Sequence, residues 1–284
     1  MMLQAPNIGE MLLHHTADAW SIETPFGEVH LPRWPDLHLG PLTINLSPTK
    51  HVVFLLLTAV LVFLTMWLTG RLLEKQRAGQ TGSKGFAAGM EGIVLFVRDD
   101  IAIANIGHDG ARFAPLIMTL FFFILYANLL GLVPYGSSVT GNLAVTAALA
   151  ILVFFVVEIS GMRKLGAKGY MGTIFPHIDG IDGPGGALLT VAMAPIEIIS
   201  KLVKPFALAV RLFGNMTAGH FAILSLYGII FLFGYLQGWN WAIGLTTAVV
   251  VLGIMMLEII VAFLQAYVFA LLSAVFIGMM QQEH

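Results

Sequence analysis

The sequence predicts an all-α polytopic membrane protein with about five transmembrane helices and one interfacial amphipathic helix, the last two spans being long, tilted and joined as a hairpin. Hydrophobic residues make up 58% of the chain and charged residues only 11%, with a mean hydropathy of +0.87, beyond what a soluble domain carries. The apolar residues also gather into long runs parted by short polar turns. With no cysteines, disulfides, thiolate nucleophiles and cysteine metal sites are excluded. A net charge of −2 with no Lys/Arg-rich stripe excludes a nucleic-acid partner and leaves membrane lipid as the surroundings. Residues 1–30 lack a basic stretch followed by an apolar one, so the amino terminus is expected to be retained.

Two regions are expected: an extramembranous arm over residues 1–49 and a membrane domain over 50–284. Pro25, Pro32, Pro35, Pro41 and Pro48 break the arm, which should hold short helical turns at most. The first span runs Val52 to Gly70 and ends in Arg71, Glu74, Lys75 and Arg77. From Phe86 to Gly107, Phe86, Met90, Ile93, Val94, Val97 and Ile101 recur at helical spacing, while Glu91, Arg98, Asp99 and Asp100 interrupt them. That pattern is a helix lying along the interface. A second span, Phe113 to Val133, stops at Pro134, and a third begins near Asn142 and ends at Gly161, before Arg163 and Lys164. The Gly-, Asp- and Pro-rich stretch Lys168 to Gly186 reads as a loop. Beyond it lie Ala187 to Phe233 and Trp241 to Met280, both longer than the roughly 20 residues of a perpendicular crossing, so tilt or curvature is expected.

Arg71, Lys75, Arg77, Lys84, Arg98, Arg112, Arg163, Lys164 and Lys168 fall on one side of this arrangement. The turns Pro134 to Gly141 and Gly234 to Asn240 have no Lys or Arg. The positive-inside rule then puts the amino terminus outside and the carboxy terminus inside, with Trp239 and Trp241 in the outer aromatic belt.

Arg211 stands in the middle of the apolar run Phe206 to Leu226. A guanidinium does not lose its proton, and at bilayer centre it costs at least roughly 2.5 kcal/mol, so it calls for a functional reason. On a helical period Glu197, Lys204, Arg211 and Asn215 share a stripe within about 40°, with Glu197 about 21 Å inward of Arg211. Small residues Ser200, Ala207 and Gly214 line its flank and allow another helix to approach. His220 lies about 13 Å outward on the opposite side of the helix. In the last helix Glu258 and Gln265 are a heptad apart on one face. Setting Gln265 level with Arg211 brings Glu258 near the depth of His220. The result is three tiers: an acid inward, a permanent cation at mid-depth and a titratable His/Glu pair outward.

Other polar residues have plainer readings. Lys201 and Lys204 are expected to snorkel to headgroups, and Glu158, near the end of its span, to sit at the interface. His14, His15, His177, Asp179 and Asp182 lack metal-ligand spacing and read as solvated loop residues, so neither a metal nor another cofactor is expected. The N-x-S/T matches at Asn45 and Asn215 are weak.

The segment KPFALAVRLFGNMTAGH, Lys204 to His220, resembles the signature of subunit a of the rotary F-type ATP synthase. PIEIIS (Pro195 to Ser200), LEIIVAFLQAYVFALL (Leu257 to Leu272), NLLGLVP and the Asn142 segment resemble the same family, over roughly residues 50–280. The resemblance implies a stator subunit packed against a ring of c subunits and joined to the b subunits of the peripheral stalk, while the chain's length, its long arm and the absence of a presequence favour a bacterial inner membrane over an organelle. Two offset half-channels would carry protons. Arg211 then matches the essential arginine that faces the ring carboxylate and keeps protons from short-circuiting. Glu197 matches the acid of the inner half-channel, His220 and Glu258 the pair of the outer one, and Asn215 and Gln265 polar residues near the arginine; Asn142 is a candidate for the outer half-channel. The His-then-Glu order is the mitochondrial-like one. No covalent chemistry is implied, and no Gly-rich phosphate loop is present.

Two rivals remain at this point. A proton-coupled secondary transporter would show an internal repeat with paired broken helices, which the sequence lacks. An intramembrane hydrolase built on Ser200 or Ser273 with His220 would need a nucleophile-elbow setting, which neither serine has.

Overall fold

Backbone in hydrocarbon has no water to bond, so a spanning chain must pair its own N–H and C=O groups, and helices do this within one segment. The computed structural model describes residues 18–25, 27–40, 42–45, 47–78, 85–133, 136–175, 184–233 and 240–281. The helices are α1 (Lys50–Ala78), α2 (Phe86–Leu95), α3 (Gly110–Leu132), α4 (Leu143–Ile174), α5 (Pro184–Phe233) and α6 (Asn240–Gln281). Among the described residues four of them, α1, α3, α4 and α6, are long and apolar enough to cross a membrane. The expected fifth span lies in α5, which has 50 residues but is made less apolar by Glu197, Lys201, Lys204 and Arg211.

Several boundaries differ from expectation. Helix α1 runs on to Ala78, past the apolar stretch, and its charged end is supported by Arg71 over the Trp67 ring one turn back, at 4.0 Å. The interfacial segment continues from α2 through a π-helical stretch, Phe96–Ile103, to Ala104–Ile106. Its Met90, Val97, Ile101 and Ile106 are buried while Arg98, Asp99 and Asp100 are exposed, as an amphipathic helix requires. Residues Lys168–Ile174, read as loop, are instead helical. Gly166, at φ +70°, lets the chain bend there without ending the segment, a conformation few other residues adopt. Loop residues His177, Asp179 and Asp182, with His14, His15, Lys84, Pro134 and Trp239, lie outside the described residues.

The arm corrects the reading of short helical turns. It holds two antiparallel hairpins, β1 (Ser21–Thr24) with β2 (Gly27–His30) and β3 (Leu37–Leu39) with β4 (Leu42–Ile44). Ser21 faces His30 and Leu37 faces Ile44. Proline excludes helix interiors but not the ends of strands, and Gly27 and Gly40 supply positive φ where the chain reverses. The arm is tied to the start of α1: the Lys50 N–H donates to the Ala19 carbonyl at 2.9 Å, and Asp18 accepts from the His51 N–H at 3.2 Å and lies 2.8 Å from His51 Nδ1. Burial would raise the Asp18 carboxyl, but its bonds to His51 and Thr49 outweigh that and hold it below the usual carboxylate range.

The chain divides into two compact units, each with its own core. One comprises the described residues of Met1–Leu64, Phe123–Asn142 and Leu212–Gln265; the other comprises those of Thr65–Phe122, Leu143–Arg211 and Ala266–His284. In the second unit Ile117, Phe121, Val153, Leu208, Phe269 and Ile277 are buried, and glycines let backbones approach. A Cβ on Gly161 would meet Met280, and one on Gly278 would run into the Asn105 carbonyl. At the end of this unit Lys164 bonds Asp109 at 2.6 Å and holds its carboxyl below the usual range. Gly278→Ala is expected to destabilise the protein by about 1–3 kcal/mol through this clash, read as a lower unfolding temperature in detergent; an unchanged transition would contradict the close contact.

Candidate functional site

The charged residues of α5 fall in different settings. Glu197, Lys201, Lys204 and Leu208 follow at i, i+4, i+7 and i+11, so they share one face. That face lines a cavity of about 620 Å³, closed by Val153, Val157, Glu158 and Thr173 of α4 and by Phe276, Met279 and Met280 of α6. Glu197 is half-buried and has no hydrogen-bond or ion-pair partner among the described residues. Lys204 lies over the Phe276 ring at 5.7 Å.

Lys201 departs from its expected place, and Glu158 is its ion-pair partner. Glu158, read as interfacial, is only 7% exposed. It accepts a hydrogen bond from the Tyr170 hydroxyl, and Lys201 Nζ stands 3.8 Å from its Oε2. Lys201, expected to snorkel outward, turns inward instead, donating to Thr173 Oγ1 at 2.8 Å and lying over the Tyr170 ring at 4.8 Å. The cause is the bend at Gly166, which returns Tyr170 and Thr173 to the body of α4 and offers the ammonium internal partners.

Arg211 is exposed and makes no hydrogen bond or ion pair with any described residue. Leu208 and Ala209, just before it, are buried, whereas Val203, Ala207 and Val210 are exposed with it. The guanidinium therefore rises from an outward-facing stripe of apolar residues, two of them branched.

The first unit holds the remaining residues singled out in the sequence. Glu258 is 9% exposed, and neither of its carboxylate oxygens has a hydrogen-bond partner among the described residues. It rests against Gly219, where any side chain would collide with the carboxyl. His220, the next residue, is half-buried, and its Nδ1 is likewise unpartnered. The two side chains are not hydrogen-bonded to each other. Asn215 Nδ2 donates to Gln265 Oε1 at 2.8 Å, joining α5 to α6. These two line a small cavity of about 10 Å³ together with Glu258, Asn128 and Met216, roughly the room of one water.

Sequence reasoning gave no role to a polar chain beside them. Thr140 Oγ1 donates to Asn128 Oδ1 at 2.5 Å, Ser138 and Thr140 hydroxyls are 3.0 Å apart, and Asn128 Nδ2 reaches the Ala262 carbonyl at 3.5 Å. The available signal was Asn128 itself, an amide inside the apolar run Phe113 to Val133 that must find partners. Asn142 closes the 3₁₀ turn Val139–Gly141 with its N–H on the Val139 carbonyl at 3.2 Å.

A helical chain with four helices long and apolar enough to cross a membrane among the described residues defines a multi-pass membrane protein. Residues 51–278 match the family described as ATP synthase A chain, and the chain belongs to that family. It is 45% identical over 268 residues to an ATP synthase subunit a of Chloroherpeton thalassium, covering 94% of this chain and 75% of that one. It is 43% identical over 273 residues to ATP synthase subunit a 2 of Chlorobaculum tepidum (95% and 72%) and 43% over 237 residues to an ATP synthase subunit a of Myxococcus xanthus (83% and 73%). The chain is thus a multi-pass membrane subunit of ATP synthase, not a catalytic one.

Thr140→Val leaves the Asn128 carbonyl oxygen without its hydroxyl donor in a buried place, and a loss of about 1–3 kcal/mol is expected. Thermal unfolding of the purified protein measures it, and the paired change N128L/T140V should recover most of the loss.

Proposed function

We propose that the chain is the proton-translocating stator subunit of the Fo sector, with an inlet and an outlet half-channel separated by Arg211. Its amino terminus lies outside and its carboxy terminus inside, and it works against a ring of c subunits, held by the b subunits of the peripheral stalk. The observation that carries this reading is Arg211: a permanent cation, exposed on an apolar stripe, with no partner among the described residues. Such a group calls for an anion on a neighbouring surface, and a ring carboxylate is one.

The other residues support the same path. A proton enters from outside past Glu258 and His220, both with unpartnered buried polar atoms able to bond water or a proton donor. The absent side chain of Gly219 is what lets the Glu258 carboxyl lie against α5 beside His220. The proton neutralises a ring carboxylate, which can then face lipid without the cost of a bare charge. At the end of the turn the carboxyl meets Arg211, which favours its anion, and the proton leaves through the cavity that Glu197 lines. Asn215 and Gln265, bonded to one another, keep the polar register between α5 and α6. Asn142 borders the outer side. The gradient biases the rotation by about 2.3 kcal/mol per charge per 100 mV.

Arg211→Ala is expected to leave the complex assembled while abolishing ATP synthesis driven by an imposed gradient in reconstituted vesicles. Normal synthesis by these vesicles would overturn the role of the arginine. Glu258→Gln is expected to slow passive proton flux through Fo about 100-fold, the scale of a lost proton-transfer group; flux equal to that of the unmodified protein would remove Glu258 from the inlet.

A further inference from the structure

Glu197 and Lys201 stand four residues apart on α5 with the acid on the amino-terminal side, the better order for an ion pair along a helix. Left to themselves they would pair, and an ammonium beside a carboxylate favours the charged form. A proton carrier held that way gives up its task. In the structure the pair does not form. Lys201 is occupied by Thr173 Oγ1 at 2.8 Å, Glu158 Oε2 at 3.8 Å and the Tyr170 ring at 4.8 Å.

We propose that, given the role assigned to Glu197, Glu158 is a positioning residue: with Thr173 and Tyr170 it draws Lys201 away from Glu197 and so leaves Glu197 free to take and release protons. Glu158 is itself engaged on both sides, accepting from the Tyr170 hydroxyl while Lys201 Nζ stands 3.8 Å from its Oε2. The hold depends on the fold. The bend at Gly166 brings Tyr170 back to Glu158 and Thr173 to the cavity, and Lys201 reaches them from a different helix. The remaining groups around Glu197 do not replace this control. Lys204 is two turns away along α5 and lies over Phe276, while α6 presents only Phe276, Met279 and Met280 to the cavity. Glu158, Tyr170 and Thr173 are the polar groups that α4 brings to this cluster.

The test uses the whole ATP synthase in inverted vesicles, reading ATP-driven proton pumping against pH on the side that faces the cell interior. Pumping draws protons from that side and needs Glu197 protonated, so anything that favours its anion moves the alkaline limb to lower pH. E158Q is expected to move that limb down by about one pH unit, the lower end of the effect of a nearby opposite charge. E158Q/K201M is expected to bring it back, because the released ammonium is gone, and E158D is expected to stay near the unmodified profile. Y170F/T173V, which weakens the hold without removing a charge, is expected to shift the limb the same way by less, and it serves also if E158Q does not assemble. An unmoved profile in E158Q or in Y170F/T173V, or a shift that persists in E158Q/K201M, would overturn the positioning role. E197Q separates the two levels: unimpaired pumping in E197Q removes Glu197 from the path altogether, whereas impaired pumping in E197Q with an unmoved E158Q profile removes only Glu158.

Discussion

Helix α5 carries Glu197, Lys201, Lys204 and Arg211 through a stretch otherwise apolar, and the surrounding structure depends on how each of those charges is accommodated. A charge in low dielectric must be paired, solvated or presented to a partner. Each of these solutions is visible. Lys201 is paired within the protein by Glu158 and Thr173, Glu197 is given a cavity of about 620 Å³, and Arg211 is presented outward with no partner among the described residues. The helix supplies regular spacing, and its neighbours decide which of those fates each group meets.

Close backbone approach is the second device. Gly278 brings its backbone against the Asn105 carbonyl and Gly161 makes room for the Met280 side chain, as small residues do where hydrocarbon provides no hydrophobic drive for association. The same economy operates at Gly219, whose missing side chain is the space occupied by the Glu258 carboxyl. Where two helices are that close, polar groups bond across the gap, as Asn215 does to Gln265.

Much of the fold was legible in the sequence because hydrocarbon imposes a simple code. The runs Val52 to Gly70 and Trp241 to Met280 lie within observed helices, Phe113 to Val133 does so but for its last residue, and the amphipathic pattern over Phe86 to Gly107 lies buried face inward. Away from the long apolar runs the code weakens. The prolines of the arm rule out long helices but do not distinguish turns from hairpins, so β1 to β4 went unforeseen. Lys168–Ile174 looked like loop because its glycines are poor helix formers, yet tertiary contacts from Tyr170 and Thr173 override that weak preference.

The candidate site divides along the same line. Sequence alone determined that Arg211, Glu197, His220 and Glu258 are ionisable groups within long apolar helices and that Asn215 and Gln265 are polar ones, because residue type and a period of 3.6 set charge, depth and face. It could not determine partners, since these lie far off in the chain: Lys201 with Glu158, Thr140 with Asn128 across a turn, and Glu258 beside Gly219. Tertiary structure alone decided that Lys201 turns inward, leaving Glu197 without an ion-pair partner among the described residues. The reason is the positive φ of Gly166, a single backbone turn that carries Tyr170 and Thr173 back to Glu158 and Lys201.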